Sequence, residues 1–224
     1  MTVREMVIRH IKEMPALPAA AGRVLSAARD PDTGIADVMK IIEADPGLTA
    51  DILRLANSAF FAGPRKIGNL RDAGVLLGMN RIVELVLSSA IVPLARGAVP
   101  GYDLGEGKLL EHMFATGIGT EELCRNLGYP PPLNAFTAGL LHGVGKLALG
   151  AIMADKVPEI KRQVEIHQVS FDKAEEIVLG ISYPEAGAVL LEYWNLPEEL
   201  CLAVRWHREP DKAPGDKRLC DLVH

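Results

Sequence analysis

Three histidines, His112, His142 and His207, fall on apolar faces of segments whose spacing predicts helices. His112 shares its side with Ala115, Thr116 and Gly119, and His142 shares its side with Ala138, Gly139 and Gly143. His207 lies over Leu200, Ala203 and Val204. Faces made of small residues let two backbones approach closely, so these imidazoles can converge. Neutral imidazoles ligate zinc, nickel or iron, and three of them with one position left open would hold a single divalent metal. The same rings serve equally well as core histidines, each satisfied by a backbone carbonyl. Lys146 stands four residues after His142 and is expected on the same face of one helix, as a snorkelling or salt-bridged lysine. Arg208 follows His207 and offers an anion contact, while Tyr183 and Trp206 offer stacking surfaces. Asp103, Glu106, Glu111 and the cysteines form no pair at a spacing suited to general acid–base work.

The elements that must position these residues all read as helices. Residues 4–13 carry apolar positions at helical spacing until Pro15 and Pro18 stop them. Pro18 then opens a second helix through Arg29, Thr33 is expected to cap a third through Ala44, and Asp45-Pro46 reads as a cap with proline at the first helical position of a fourth. That fourth helix runs out at Asn57-Ser58, read as end-of-helix hydrogen bonders, before a turn at Gly63-Pro64. Asn69 with Asp72 caps the next helix, Gly78 ends it, and an apolar helix follows over about 79–94. Gly97 to Gly101 marks the boundary between two lobes. A long helix is expected over about 105–127, closed by Gly128 and the prolines 130–132, and the stretch Gly139 to Lys146 follows as one helix. Later helices are expected over roughly 155–166, 171–179, 184–193 and 197–207. No segment alternates strictly enough for a strand, and no internal repeat is evident.

Composition bounds the function. The 224 residues are 49% hydrophobic, enough for a sizeable core, and a net charge of −5 with scattered Lys and Arg gives no basic stripe for nucleic acid. The three cysteines, Cys124, Cys201 and Cys220, are far apart among apolar neighbours and read as buried thiols of a reducing compartment. The most apolar run, 82–94, is too short to span a bilayer and no secretory signal is evident, so a cytoplasmic protein without membrane or nucleic-acid contact is expected.

The stretch Gly139-Leu140-Leu141-His142-Gly143-Val144-Gly145-Lys146 resembles the signature Gly-Leu-Leu-His-Asp-Ile-Gly-Lys of the HD metal-dependent phosphohydrolases. The chain after its first helix is more closely similar to the HDOD domain, the HD-related output domain of bacterial signalling proteins. Leu17-Pro18, Asn57-Ser58-Ala59, Leu77-Gly78-Met79, Leu110-Glu111-His112, Trp194-Asn195-Leu196-Pro197 and His207-Arg208-Glu209-Pro210 carry that likeness. It implies an all-α, multi-helical HD-like bundle over 102–224 with an N-terminal helical lobe over 1–97 packed on it, the whole 1–224 forming one HDOD-like domain.

The departures from the pattern decide the expected chemistry. In HD enzymes the carboxylate after the central histidine bridges the metals, and here that position is Gly143. Tyr183 stands where the pattern usually has a histidine, and His207-Arg208 where it has paired histidines. Asp221 lies about a turn before the place of a late carboxylate ligand, and the pattern stops at His224 in mid-course, so a truncated chain is expected. In active relatives the lysine at the position of Lys146 helps with phosphate. The resemblance therefore implies a non-catalytic regulatory domain that acts on a signalling protein partner and needs no cofactor. The alternatives are a reduced phosphohydrolase using His112, His142 and His207 with one divalent metal and Lys146, and a nucleotide-binding module using Gly143, Lys146, Tyr183 and Arg208 of the old pocket.

Overall fold

The structure, a computed structural model, describes residues 2–63, 65–129 and 134–224. Helices account for its regular structure: among the described residues there is no strand, only an isolated bridge between Val99 and Leu104. The expected turn at Pro64 and the proline run 130–132 lie outside the described residues. The chain divides into two compact units, Ala16–Leu94 and a second one made of Met1–Pro15 with Ala95–His224.

In the unit Ala16–Leu94 the helices after α1 (Val3–Glu13) begin with α2 (Ala19–Ala27), α3 (Ile35–Glu43) and α4 (Pro46–Ala56), and α5 (Leu70–Ala95) closes it. Asp45 caps α4 by accepting from the Leu48 amide at 3.0 Å, with Pro46 in the first turn. Gly34, not Thr33, is the N-cap of α3, because the helix starts one residue later than the hydroxyl would need. Asn57 ends α4 and clamps the following loop: its amide donates to Leu53 O and Ile67 O, and its oxygen accepts from Ile67 N at 2.9 Å. Asn69 caps α5 through the Asp72 amide. Gly78, at φ 72° and ψ 176°, breaks α5 into two helices where the sequence places an end, a backbone conformation that favours glycine.

In the second unit, α1 packs on later helices instead of standing with the N-terminal residues. Arg4 donates to Gly180 O and forms an ion pair with Glu185 at 2.6 Å, and Trp194 Nε1 donates to Pro15 O. The remaining helices are α6 (Lys108–Asn126), α7 (Ala135–Leu141), α8 (Val144–Met153), α9 (Val157–His167), α10 (Phe171–Leu179), α11 (Tyr183–Tyr193), α12 (Glu198–Trp206) and α13 (Arg218–Val223). A 3-10 turn, Pro100–Tyr102, precedes α6, which starts later than expected because Gly107 sits at φ 74°.

The stretch expected as one helix over 139–146 is two. The chain turns at His142-Gly143, so His142 caps α7 and Lys146 lies in the first turn of α8. Glycines set how closely these helices meet. A Cβ on Gly139 would stand 2.7 Å from Gly117 Cα, which fixes α7 against α6. One on Gly145 would collide with the Tyr183 carbonyl and lie 2.6 Å from Gly187 N, which seats α8 on the start of α11. Two helical stretches, Leu70–Ala95 and Ala135–His167, are long and apolar enough to cross a membrane, and 56% and 78% of their apolar windows are buried inside the protein, as in core helices.

Candidate functional site

His112 from α6, His142 from the end of α7 and His207 from the end of α12 do come together. His142 and His207 are 5% and 3% exposed, whereas His112 lies at the solvent edge. The His142 ring stands edge-on to both others, with centroids 4.8 Å from His112 and 5.4 Å from His207.

Backbone carbonyls fix the tautomers. A carbonyl only accepts, so His142 Nδ1–H donates to Gly139 O at 2.6 Å and His207 Nδ1–H donates to Val204 O at 2.7 Å. The Nε2 atom of each ring is then an acceptor facing inward. His112 Nε2–H donates to His142 Nε2 at 3.0 Å, and the Tyr183 hydroxyl donates to His207 Nε2 at 3.0 Å. Burial pushes His142 down to about 3, helped by the neighbouring His207, and His207 down to about 4. His112 is also lowered, by desolvation and then by Lys146. At neutral pH the cluster is a set of neutral rings closed by its own hydrogen bonds.

Two of the rings, Nδ1 tied back and Nε2 inward, are oriented as metal-bound histidines are. The rest of the donor set does not fit a metal. Both inward nitrogens are occupied by protein donors, and among the described residues no carboxylate is seen to join them. The space beside Gly143 is apolar: a Cβ there would meet Leu109 Cδ1 and Met113 Cγ at 3.2 Å. Among the described residues, no three His, Cys, Asp or Glu side chains are grouped so as to hold a metal ion.

Lys146 sits beside the cluster on aromatic faces, its Nζ 4.7 Å from the Tyr183 ring centroid and 5.6 Å from that of Tyr102. Such contacts suit a half-buried ammonium. Desolvation still lowers its pKa, opposed by Glu175 and reinforced by the positive Arg208. Arg208 is exposed and lies 3.8 Å from the buried Asp172.

Tyr102, Asp172 and Glu175 belong to this site and escaped the sequence reading. Glu175 is fully buried, and its Oε2 accepts from the Tyr183 amide at 2.7 Å. The signal for it was present: Phe171, Glu175 and Leu179 share one face of α10 at four-residue spacing, so a carboxylate stands in an apolar row. Tyr102 had no comparable signal, because it lies in the glycine- and proline-rich boundary segment.

A groove of about 350 Å³ opens beside Arg208 and Trp206. It balances Lys173, Arg205, Arg208 and Lys212 against Asp172, Glu176, Glu185 and Glu209. These charges are largely paired already, as in Lys173–Glu209 at 2.6 Å and Lys212–Glu209 at 2.7 Å. The groove therefore offers no excess of positive charge to an anionic ligand.

The sequence pattern of the HDOD domain matches residues 14–210. The chain is 26% identical over 210 residues to an uncharacterized protein of Treponema pallidum (strain Nichols), a match covering 92% of this chain and 40% of the relative. It thus spans about two fifths of that relative's length. A crystal structure of an HDOD domain protein of unknown function from Geobacter sulfurreducens superposes with a TM-score of 0.78 and 27% identity, over 98% of this chain and 75% of the other. A protein from Shewanella amazonensis SB2B, described as a candidate phosphohydrolase, gives a TM-score of 0.77 and 28% identity, over 97% and 77%.

Proposed function

We propose, for a chain that belongs to the HDOD domain family, a non-catalytic regulatory role in bacterial signal transduction, exercised in the cytoplasm through contacts with a signalling protein partner. One observation carries this reading. The metal-bridging carboxylate of the HD signature is replaced by Gly143, and Leu109 and Met113 pack against the place where its side chain would start. Around that gap the histidines spend their inward nitrogens on one another and on Tyr183. A site built this way stabilises a shape and supplies neither a bridging charge nor an open coordination position.

The orientation of His142 and His207 supports one alternative, a reduced phosphohydrolase with a single metal held by His112, His142 and His207. A phosphodiesterase screen with cyclic dinucleotides, cyclic mononucleotides and generic phosphoesters in manganese, iron or nickel separates the two. The regulatory reading expects no turnover, and elemental analysis of stripped and reloaded protein with no stoichiometric metal. Metal-dependent turnover abolished by His142→Ala would overturn it.

A further inference from the structure

Glu175 is the fully buried acid at the junction of four elements of the second unit. It projects from α10. Its Oε2 takes the amide hydrogen of Tyr183, the first residue of α11, whose N-cap Ser182 makes no side-chain cap. Its Oε1 is buried with no hydrogen-bond partner of good geometry, and the Tyr102 hydroxyl is buried in the same state. The two groups lie close enough for each to perturb the other's proton affinity. Lys146 approaches from α8, on the faces of Tyr102 and Tyr183. Asp172, one turn earlier on α10, adds negative charge, and Arg208 acts on Lys146 and Tyr183 from beyond α12.

Two such groups side by side can hydrogen-bond in either direction, and the two arrangements differ by one proton, taken up from or released to solvent. With Glu175 neutral, its Oε1–H donates to Tyr102 Oη. With Glu175 ionised, the Tyr102 hydroxyl donates to Oε1, the Tyr183 amide gains a charge-assisted acceptor, and Lys146 gains a counter-charge. We propose that Glu175 is a proton-operated latch on the start of α11, its protonation state setting the direction of the Tyr102 hydrogen bond and the grip on the Tyr183 amide. Through the Tyr183 hydroxyl on His207 Nε2, the latch reaches the histidine cluster. Burial, the largest cause, raises Glu175 to about 7, which places the change near neutrality. His142 and His207, at about 3 and 4, stay neutral throughout that range. The latch is independent of whether the cluster catalyses anything.

The test uses the full chain labelled with carbon-13 at glutamate side-chain carboxyls. Wild type should show a glutamate carboxyl titrating near neutrality, with its signal missing in Glu175→Gln. The Tyr183 amide proton should shift with the same midpoint in wild type, as its acceptor gains charge, and this titration should vanish in Glu175→Gln. Tyr102→Phe removes a donor that lowers the acid and should raise the Glu175 midpoint. The proposal is overturned by Glu175 titrating in the usual carboxylate range, by an equal pH dependence of the Tyr183 amide shift in Glu175→Gln, or by an unmoved midpoint in Tyr102→Phe. The wild-type titration stands even if a variant fails to fold.

Discussion

Restoring the carboxylate of the HD signature, by Gly143→Asp, tests whether the pocket has closed. Gly143 has φ −88° and ψ −2°, a conformation open to any residue, so the backbone does not resist the change. Gly143→Ala isolates the steric part. Its methyl would press on Leu109 Cδ1 and Met113 Cγ at 3.2 Å, both flexible side-chain atoms, and losing glycine freedom in the unfolded chain returns about 0.4–1 kcal/mol. The alanine variant should therefore lie within about 1 kcal/mol of wild type. Aspartate adds a charge against apolar Leu109 and Met113 and beside rings that burial keeps neutral, a cost of about 2–4 kcal/mol more than alanine. Because that cost belongs to the ionised form, it should grow from about pH 4, the unfolded carboxyl, to about pH 5–7, where a cost of that size places the folded one, and level off above. Urea unfolding of the three proteins, with and without manganese or zinc, measures it. If Gly143→Asp matches Gly143→Ala in stability and metal then stabilises it by about 2.7 kcal/mol or more, the value for ligand at a hundred times Kd, the pocket is an open metal site and the packing argument fails.

Two further outcomes follow from the same geometry. Gly145→Ala drives a methyl into the Tyr183 carbonyl and the Gly187 amide, both backbone, so it should cost about 3 kcal/mol or more; a thermal midpoint within about 2 °C of wild type refutes the close α8–α11 seat. Stability should also depend on pH in two opposed directions. Glu175 rises from 4.5 to about 7 on folding, so its contribution is fully present below 4.5 and lost as pH climbs through 7, roughly 3 kcal/mol as an upper figure. The depressed His142 and His207 contribute stability above 6.5 that is lost as pH falls toward about 3 and about 4 respectively. Chemical unfolding across about pH 5–8 should show Glu175→Gln gaining on wild type as pH rises, and parallel curves would contradict the assignment.

Punctuation made most of the helices legible. Asp45-Pro46, Asn69 with Asp72, and Gly78 all mark ends where the chain ends a helix, because caps and left-handed glycines act locally. The close approach was legible in part: Gly139 does meet the long helix, but its partner there is Gly117, while Gly119, read as part of that face, has open space beside it. The bend at His142-Gly143 was not legible. Its residues keep an unbroken apolar pattern, and Gly143 bends within the right-handed helical region, so nothing in composition separates it from a glycine in mid-helix. Glu175 and Tyr102 meet only in three dimensions, 73 residues apart in number, and the burial that sets their chemistry is a property of the packed unit.

The persistence of the site's shape has a separable cause from its chemistry. Gly139 and Gly145 seat α7 and α8 on α6 and α11 through close contacts that involve no ligand, so the ring positions do not depend on a carboxylate at position 143. What must change is the fate of the polar atoms. An inward Nε2 left bare would cost about 1–3 kcal/mol, and the hydroxyl of Tyr183 and the ring N–H of His112 remove that cost for His207 and His142. The ammonium of Lys146 rests on the faces of Tyr102 and Tyr183, where burial lowers its proton affinity and Glu175 raises it. Burial holds His142 and His207 neutral through the range near neutrality and raises Glu175 into it, so the carboxyl is the group beside these rings placed to respond to pH.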